Sequence, residues 1–139
     1  MNGNNFMAWL LRSPFHGMLS NGMMLITVTG RKTGLKYTTP VGYFEEDNHL
    51  WVFTSRNRTW WRNLCGGAPV SLLLKRRTVE AFAEPVLDER AVGFWMHEYL
   101  RHVPQAAHSL GIRVKDGVAS EEDVARIAKD RLFVRINLS

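Results

Sequence analysis

Cysteine is nearly absent from this 139-residue sequence, in which Cys65 stands alone. A single cysteine excludes an intramolecular disulfide framework, and a free thiol is typical of proteins kept in a reducing compartment. We therefore expect a cytoplasmic protein that is stabilised by a single hydrophobic core.

Long apolar runs are also missing. None approaches the roughly 20 residues that span a bilayer, and the polar, uncharged start of the chain does not resemble a signal peptide. Apolar residues between Phe6 and Leu19 recur at helical spacing with a break at Ser13-Pro14, which predicts an N-terminal helix. We expect this helix to pack on the core as a lid. Because Arg12 is its only charge, weak contact with a membrane surface is the less favoured alternative.

Three familiar site signatures are lacking. There is no Gly-x-Gly-x-x-Gly, so a Rossmann dinucleotide fold has no support. A P-loop would lead into a helix, whereas Lys32-Thr33-Gly34 precedes a predicted strand. The histidines are five and six residues apart across Pro104, off the i, i+4 spacing of a helical metal pair, at His97, His102 and His108. We therefore predict no metal site.

The overall composition is that of one folded domain spanning residues 1–139, with 45% apolar and 22% charged residues. Lysine and arginine number 18 against 13 acidic residues, and the resulting charge of +5 suits an acidic partner such as a nucleic acid, a phospholipid or a phosphorylated cofactor. Only Arg31-Lys32 and Lys75-Arg76-Arg77 form clusters. We therefore predict no nucleic-acid partner, since no continuous basic stripe is visible.

Strand signals crowd the first half of the chain. They cover residues 24–29, 36–44, 50–54, 70–74 and 78–85, and an acidic stretch at residues 45–48 predicts a hairpin turn. Short connections between five strands favour an antiparallel meander or a small barrel over repeated βαβ units. A final alternating segment, residues 131–136, can return to close the sheet.

Helices are predicted in the second half. Asp88 is a plausible N-cap for a helix that runs to about His102 and is closed by Pro104. Ser120, followed by three acidic residues, predicts the capped start of a helix that ends near Lys129. We expect the stretch from Gly111 to Asp130 to be a polar helical segment.

The connection Thr29-Gly30-Arg31-Lys32-Thr33-Gly34 places two cations between glycines and between two strands. Glycine allows a ligand to approach the backbone, and arginine and lysine both bind phosphate or carboxylate. The sequence therefore predicts an anion site here, with an empty basic hairpin loop as the alternative.

The irregular stretch from Ser55 to Pro69 is the second candidate site region. It combines three arginines with Trp60 and Trp61, and arginine beside tryptophan suits a planar or anionic ligand. The alternative is that a tryptophan caps the barrel while the arginines face water.

Four motifs occur in register over residues 20–85: Thr29 to Gly34, Pro40-Val41-Gly42-Tyr43, Thr54-Ser55-Arg56, and Trp60 to Leu64 followed by Ala68-Pro69-Val70. Together they resemble the deazaflavin-dependent nitroreductase family. The resemblance implies an α+β fold, namely a split β-barrel of about six mainly antiparallel strands with flanking helices, similar to flavin-binding split barrels. It also implies a reductase that uses coenzyme F420 as hydride donor.

The resemblance implies a role for each segment. Arg31 and Lys32, in the loop with Thr33 and Gly34, would hold the coenzyme's phosphate or acidic tail. The backbone of the second strand would line the deazaflavin ring, and the two later motifs would reach the phosphodiester or ribityl region and complete the wall. The residues concerned are Pro40, Val41, Gly42, Tyr43, Thr54, Ser55, Arg56, Asn57, Trp60, Trp61 and Asn63.

Several alternatives remain open at this level. The acceptor could be a quinone, an activated alkene or a nitro compound, and the cofactor could be flavin mononucleotide on the same barrel. A non-enzymatic module that binds haem or a lipid-like molecule is the third candidate. No catalytic residue is assigned, because Tyr99 or His102 could protonate the substrate but are more simply explained as a packed tyrosine and a solvent-facing histidine. A sheet edge or groove would also allow a homodimer.

Overall fold

The computed structural model describes residues 22–138. The helix predicted between Phe6 and Leu19 lies outside the described residues. None of the helices within residues 22–138 is long and apolar enough to cross a bilayer.

Six antiparallel strands of the described chain close into a barrel in the order β1-β2-β3-β8-β5-β4. They are β1 (Met23–Thr29), β2 (Lys36–Glu46), β3 (His49–Ser55), β4 (Ala68–Leu74), β5 (Arg77–Val86) and β8 (Arg131–Leu138). The predicted α+β barrel is confirmed, and every predicted strand is present within two residues at each end. A 3₁₀ helix, Trp60–Leu64, joins β3 to β4.

The barrel interior is filled by alternate residues of the strands, because successive side chains of a strand point to opposite faces. Ile26 and Val28 of β1 and Val134 and Ile136 of β8 are almost fully buried in this core. Val52 of β3 completes the same layer. Burial of such β-branched side chains is the main favourable contribution to folding.

Strand β2 changes partner part-way along its length. Its first part pairs with β1, from Thr29 opposite Lys36 to Met23 opposite Gly42. Its last four residues pair instead with the start of β3, beginning with Tyr43 opposite Val52. The first part of β2 is therefore not paired with the end of β3. We call this gap between the two strands the split in the barrel.

The turn between β2 and β3 is shorter than predicted. It consists of Asp47 and Asn48, with φ values of 57° and 61°, the left-handed conformation that a two-residue hairpin turn requires. Asparagine and aspartate adopt this conformation more readily than most residues. Glu45 and Glu46, expected in the turn, are the last residues of β2.

Helix α1 (Glu89–His102) covers the outer face of β3 and β8. Its N-cap is Asp88 as predicted, with the carboxylate accepting the backbone N–H of Ala91 at 3.0 Å. Trp95 stacks on Trp51 at 3.8 Å between ring centroids. The helix is thus fixed by a cap at its start and by aromatic packing along one side.

The chain from Gly111 to Asp130 differs from the polar helical segment that was predicted. Its first part is a small hairpin, β6 (Val114–Lys115) and β7 (Val118–Ala119), and only α3 (Glu121–Ala128) is helical. Asp116 and Gly117 have positive φ values, so this Asp-Gly pair forms a hairpin turn. A five-residue helix that was not predicted, α2 (Ala106–Leu110), precedes the hairpin.

Asp123 in the first turn of α3 joins the hairpin to the helix. The side chain is 2% exposed, and its Oδ2 accepts the backbone N–H and the Nε–H of Arg113, both at 2.9 Å. Arg126 donates to Oδ1 at 3.3 Å. The hydrogen bonds from Arg113 lower the pKa of Asp123 from 3.8 to about 2, because they favour the ionised carboxylate.

We expect Asp123→Asn to lower the melting temperature at neutral pH and to change its acid dependence. A carboxyl group whose pKa is depressed by folding contributes stability above its unfolded value, and this contribution is lost as pH falls through the folded value. The relevant window here runs from pH 3.8 down to about pH 2. Thermal melts at pH 2 to 7 should show a smaller loss across this window for the variant.

The neighbouring Glu122→Gln is the control, because its exposed carboxylate lies 3.7 Å from Arg113 and is solvent-screened. Equal acid sensitivity of Asp123→Asn and the parent protein would contradict the assignment of Asp123.

Candidate functional site

The loop between β1 and β2, residues 30–35, is a tight hydrogen-bonded turn. Gly30 N–H donates to Leu35 O at 2.7 Å, and Gly34 N–H donates to Gly30 O at 2.8 Å. Gly34 has a φ of +72°, and a Cβ on Gly30 would lie 2.8 Å from the ring of Tyr37. Both glycines are therefore required by the loop.

The two predicted site regions meet at one end of the barrel. Arg31 N–H donates to Oδ1 of Asn63 at 3.1 Å, and the Arg31 guanidinium donates to the carbonyl oxygen of Cys65. Asn63 in turn donates to Trp60 O at 3.2 Å. Arg31 thus fastens the loop to the 3₁₀ helix, while the neighbouring Lys32 is exposed.

The tryptophans of the 3₁₀ helix belong to the core. Trp60 and Trp61 are 9% and 5% exposed, so neither presents an open ring face as a cleft wall. Arg62 lies 4.8 Å from the Trp61 ring centroid. Within residues 22–138, the buried Nε1–H of Trp61 has no hydrogen-bond acceptor.

Arg56 is engaged by the helices on the other flank. Its guanidinium donates to Leu87 O at 2.9 Å and to Ala128 O at 3.1 Å, and its backbone N–H donates to Asp130 O at 2.9 Å. Ser55 Oγ lies 3.4 Å from Arg131 Nη1. In the same stretch, Asn57 is exposed and Thr54 is partly buried. The Arg56 guanidinium connects the chain segments that contain Leu87 and Ala128.

The outer face of β2 is an open strip between the loop and the split. Four alternate residues on this face are exposed, namely Lys36, Thr38, Pro40 and Gly42. Val41 is buried in the core, so only its backbone is accessible. Lys36 and Gly42 are separated by six steps of about 3.3 Å each, which gives the strip a length of roughly 20 Å.

A cavity of about 670 Å³ opens at the far end of this strip, where β2 changes partner. Its floor includes Gly42, Tyr43 and Phe53 from the barrel, and its roof includes Tyr99 and His102 from α1; Gly22, Met23, Phe44, Glu45, Val103 and Gln105 complete the lining. Phe53 and Tyr99 stack at 4.8 Å between centroids. The cavity is thus walled largely by aromatic rings.

Both tyrosines of the cavity are held in their neutral form. Burial raises the pKa of Tyr99, and burial together with the charge of Glu45 raises the pKa of Tyr43.

A histidine–carboxylate pair lies beside the cavity and was missed from the sequence. His102 Nε2 lies 2.8 Å from Oε2 of Glu46, and the imidazole packs on Phe44 at 4.9 Å between centroids. The two partners are 56 residues apart, and Glu46 was assigned to a solvated turn. Only the pairing of β2 with β3 and the packing of α1 reveal the contact.

The family model of the F420H(2)-dependent quinone reductases matches residues 13–116, which is well over half of the chain. The chain belongs to this family. The predicted resemblance is therefore confirmed, under a description that names quinone rather than nitro acceptors. The family's description names reduced F420 as the reductant and a quinone as the acceptor.

Solved structures agree on the fold of this family member. A protein of unknown function from Agrobacterium tumefaciens matches with a TM-score of 0.60 at 15% identity, over 92% of this chain and 56% of its own. The flavocytochrome Anf3 from Azotobacter vinelandii matches with a TM-score of 0.57 at 11% identity, over 84% of this chain and 58% of its own. An FAD and heme binding protein from Mycobacterium smegmatis matches with a TM-score of 0.53 at 16% identity, over 92% of this chain and 66% of its own. The chain thus spans less than two thirds of each neighbour, and likeness at this identity shows the fold alone. Homodimer formation and a cytoplasmic location stay predictions.

The described residues of this family member fit an elongated, anionic cofactor. The strip on β2 is open along its length, and an exposed lysine lies at one end. The orphaned Nε1–H of Trp61 is a buried donor near the same end. A buried donor without a partner costs free energy, which a ligand acceptor would recover.

We expect Arg56→Ala to act on stability. The variant removes a guanidinium that satisfies two carbonyl groups, which should lower the free energy of unfolding by about 1–3 kcal/mol. Urea denaturation measures this change. Arg58→Ala is the control, since Arg58 is exposed and such substitutions usually change stability by under about 0.5 kcal/mol. Equal stability of the two variants would contradict the structural role of Arg56.

Proposed function

We propose that the protein reduces a quinone with hydride from reduced coenzyme F420, which lies along the outer face of β2. The observation that carries the proposal is the continuous exposed strip between the cationic loop and the aromatic cavity. Such a strip accommodates a cofactor with an acidic tail at one end and a planar ring at the other.

Lys32 would bind the acidic tail of the coenzyme. It is exposed at the loop tip, next to the anchored Arg31, and a lysine ammonium binds phosphate as a point charge. Arg31 would contribute mainly by fixing the loop, because its guanidinium already donates to Cys65 O. Thr33, Gly34 and Asn63, which the resemblance placed at the coenzyme, would likewise act mainly by shaping and anchoring this loop.

Gly42 and Tyr43 would place the ring of the coenzyme at the mouth of the cavity. When bound, reduced F420 supplies the hydride, and the protein's task is to orient the acceptor and exclude water. Phe53 and Tyr99, which stack on each other, give the cavity an aromatic surface that favours a flat, apolar acceptor, because such rings bury a large apolar area. A quinone meets this requirement and agrees with the family to which the chain belongs.

We expect Lys32→Ala to weaken binding of F420 about tenfold, which corresponds to about 1.4 kcal/mol. Fluorescence titration of the purified protein measures this, and the melting temperature should stay unchanged. The control Lys75→Asn removes the same charge at the opposite end of the barrel, at a position with a φ of 51° that asparagine tolerates. Equal loss of affinity in both variants would indicate a general charge effect and contradict the tail site.

An acceptor panel tests the substrate. With reduced F420, we expect turnover of simple quinones with a kcat/KM at least about tenfold above that of nitroaromatics or activated alkenes of similar size. Spectrophotometric assays follow oxidation of the coenzyme. A preference for either other class would overturn the quinone assignment, and tight binding of flavin mononucleotide or haem without a response to F420 would overturn the proposed function.

A further inference from the structure

We propose that His102, held by Glu46, donates the proton that completes reduction of the acceptor in the aromatic cavity. This inference rests on the proposed function, because it concerns the chemistry of the same cavity. It assigns a catalytic residue and a positioning residue to a pair that neither the sequence motifs nor the family description identifies.

The pair fixes which ring nitrogen of His102 is bonded to Glu46 and which is left for another partner. The Glu46 carboxylate can only accept a hydrogen bond, so Nε2 of His102, at 2.8 Å, must carry its proton there. Nδ1 is then the nitrogen that remains for the acceptor. Packing on the ring of Phe44 at 4.9 Å restricts rotation of the imidazole. A carboxylate that orients a histidine in this way is a recurring arrangement in acid–base catalysis.

Charged groups lie around His102, which is in the last turn of α1. Glu46 and Glu45 of β2 add negative charge on the facing side, while Arg101 on the same helix is paired with Glu98 at 3.0 Å. The imidazole side chain is 37% exposed, so the solvent can return a proton after each turnover.

Tyr99 is the weaker candidate for the same role. It lines the same cavity, but burial raises its pKa above the ordinary value of 10.0 and makes it a poorer acid near neutral pH. Its hydroxyl is better suited to donate a hydrogen bond to a carbonyl oxygen of the acceptor. Tyr43 is disfavoured for the same reason, since its pKa is also raised.

The proposed step balances. A quinone that receives a hydride gains two electrons and one proton, and it becomes the monoanion of a hydroquinone. The Nδ1–H bond of the His102 imidazolium breaks, and its proton forms the O–H bond of the neutral hydroquinone. His102 is left neutral and is protonated again from water, while Glu46 stays ionised throughout.

Three variants test the assignment. We expect His102→Gln to lower kcat with a quinone by about 10²-fold, within the range for general acids, with KM and F420 affinity within twofold of the parent values. Glu46→Gln should lower kcat less, because it loosens the imidazole without removing it. The control is His108→Gln, which changes an exposed histidine of α2 outside the cavity lining and should leave kcat unchanged.

Two readouts separate a proton donor from a residue that only supports the fold. Imidazole added to His102→Ala should restore kcat, and the fall of kcat at high pH should disappear in His102→Gln. In the protein without coenzyme, imidazole ¹⁵N shifts should show the Nε2–H form of His102 above its protonation range, and a mixture of both neutral forms in Glu46→Gln.

Unchanged kcat and pH profile in His102→Gln, or failure of imidazole rescue in a folded His102→Ala protein, would overturn the proton-donor role while leaving F420-dependent turnover intact. Absence of quinone reduction or F420 binding in the parent protein would instead overturn the proposed function, and ¹⁵N shifts unaffected by Glu46→Gln would overturn the positioning role of Glu46.

Discussion

The change of partner along β2 is the constraint on which the candidate site depends. Strand β2 has eleven residues, whereas β1 and β3 have seven each. Its first part pairs with β1 and its last four residues pair with β3. The outer face of the first part of β2 is exposed to solvent. The last four residues of the strand lie beneath the end of α1. The strip, the cavity and the contact between Glu46 and His102 all arise from this single geometric feature.

The cations of this chain have two different uses, although they look alike in the sequence. Arg31 and Arg56 satisfy backbone carbonyl groups in connections that would otherwise leave them without donors. Lys32 and Arg58 are exposed instead. Arginine suits the first use because its planar group can donate to several acceptors at once. The net charge of +5 therefore does not mean that every arginine and lysine is available to bind an anionic ligand.

Much of the fold could be predicted because its signals are local. Asp88 and Ser120 cap helices through contacts three residues away, and alternating apolar residues define each strand. The Asp-Gly pair at residues 116–117 was also a readable hairpin signal, but it fell inside the stretch from Gly111 to Asp130 that was expected to be a polar helical segment. Its misassignment shows that a turn dipeptide deserves more weight than the polarity of its surroundings.

The candidate site was less predictable because its contacts are distant in sequence. Convergence of Arg31 and Asn63 agrees with the predicted placement, whereas the burial of Trp60 and Trp61 depends on how the barrel end is filled. Composition alone does not distinguish a stacking ring from a core ring. The turn after β2 has only two residues, so Glu46 is part of the strand rather than of the turn. From that position its carboxylate contacts His102.

The cavity has a floor from the barrel and a roof from the end of α1. These two parts are separated in sequence by more than forty residues, and different contacts hold each in place. Substitutions near Tyr99 and His102 can therefore reshape the chamber without disturbing the loop at the other end of β2. The residues proposed to meet the acceptor and those proposed to hold the coenzyme's tail therefore belong to parts of the molecule that can vary separately.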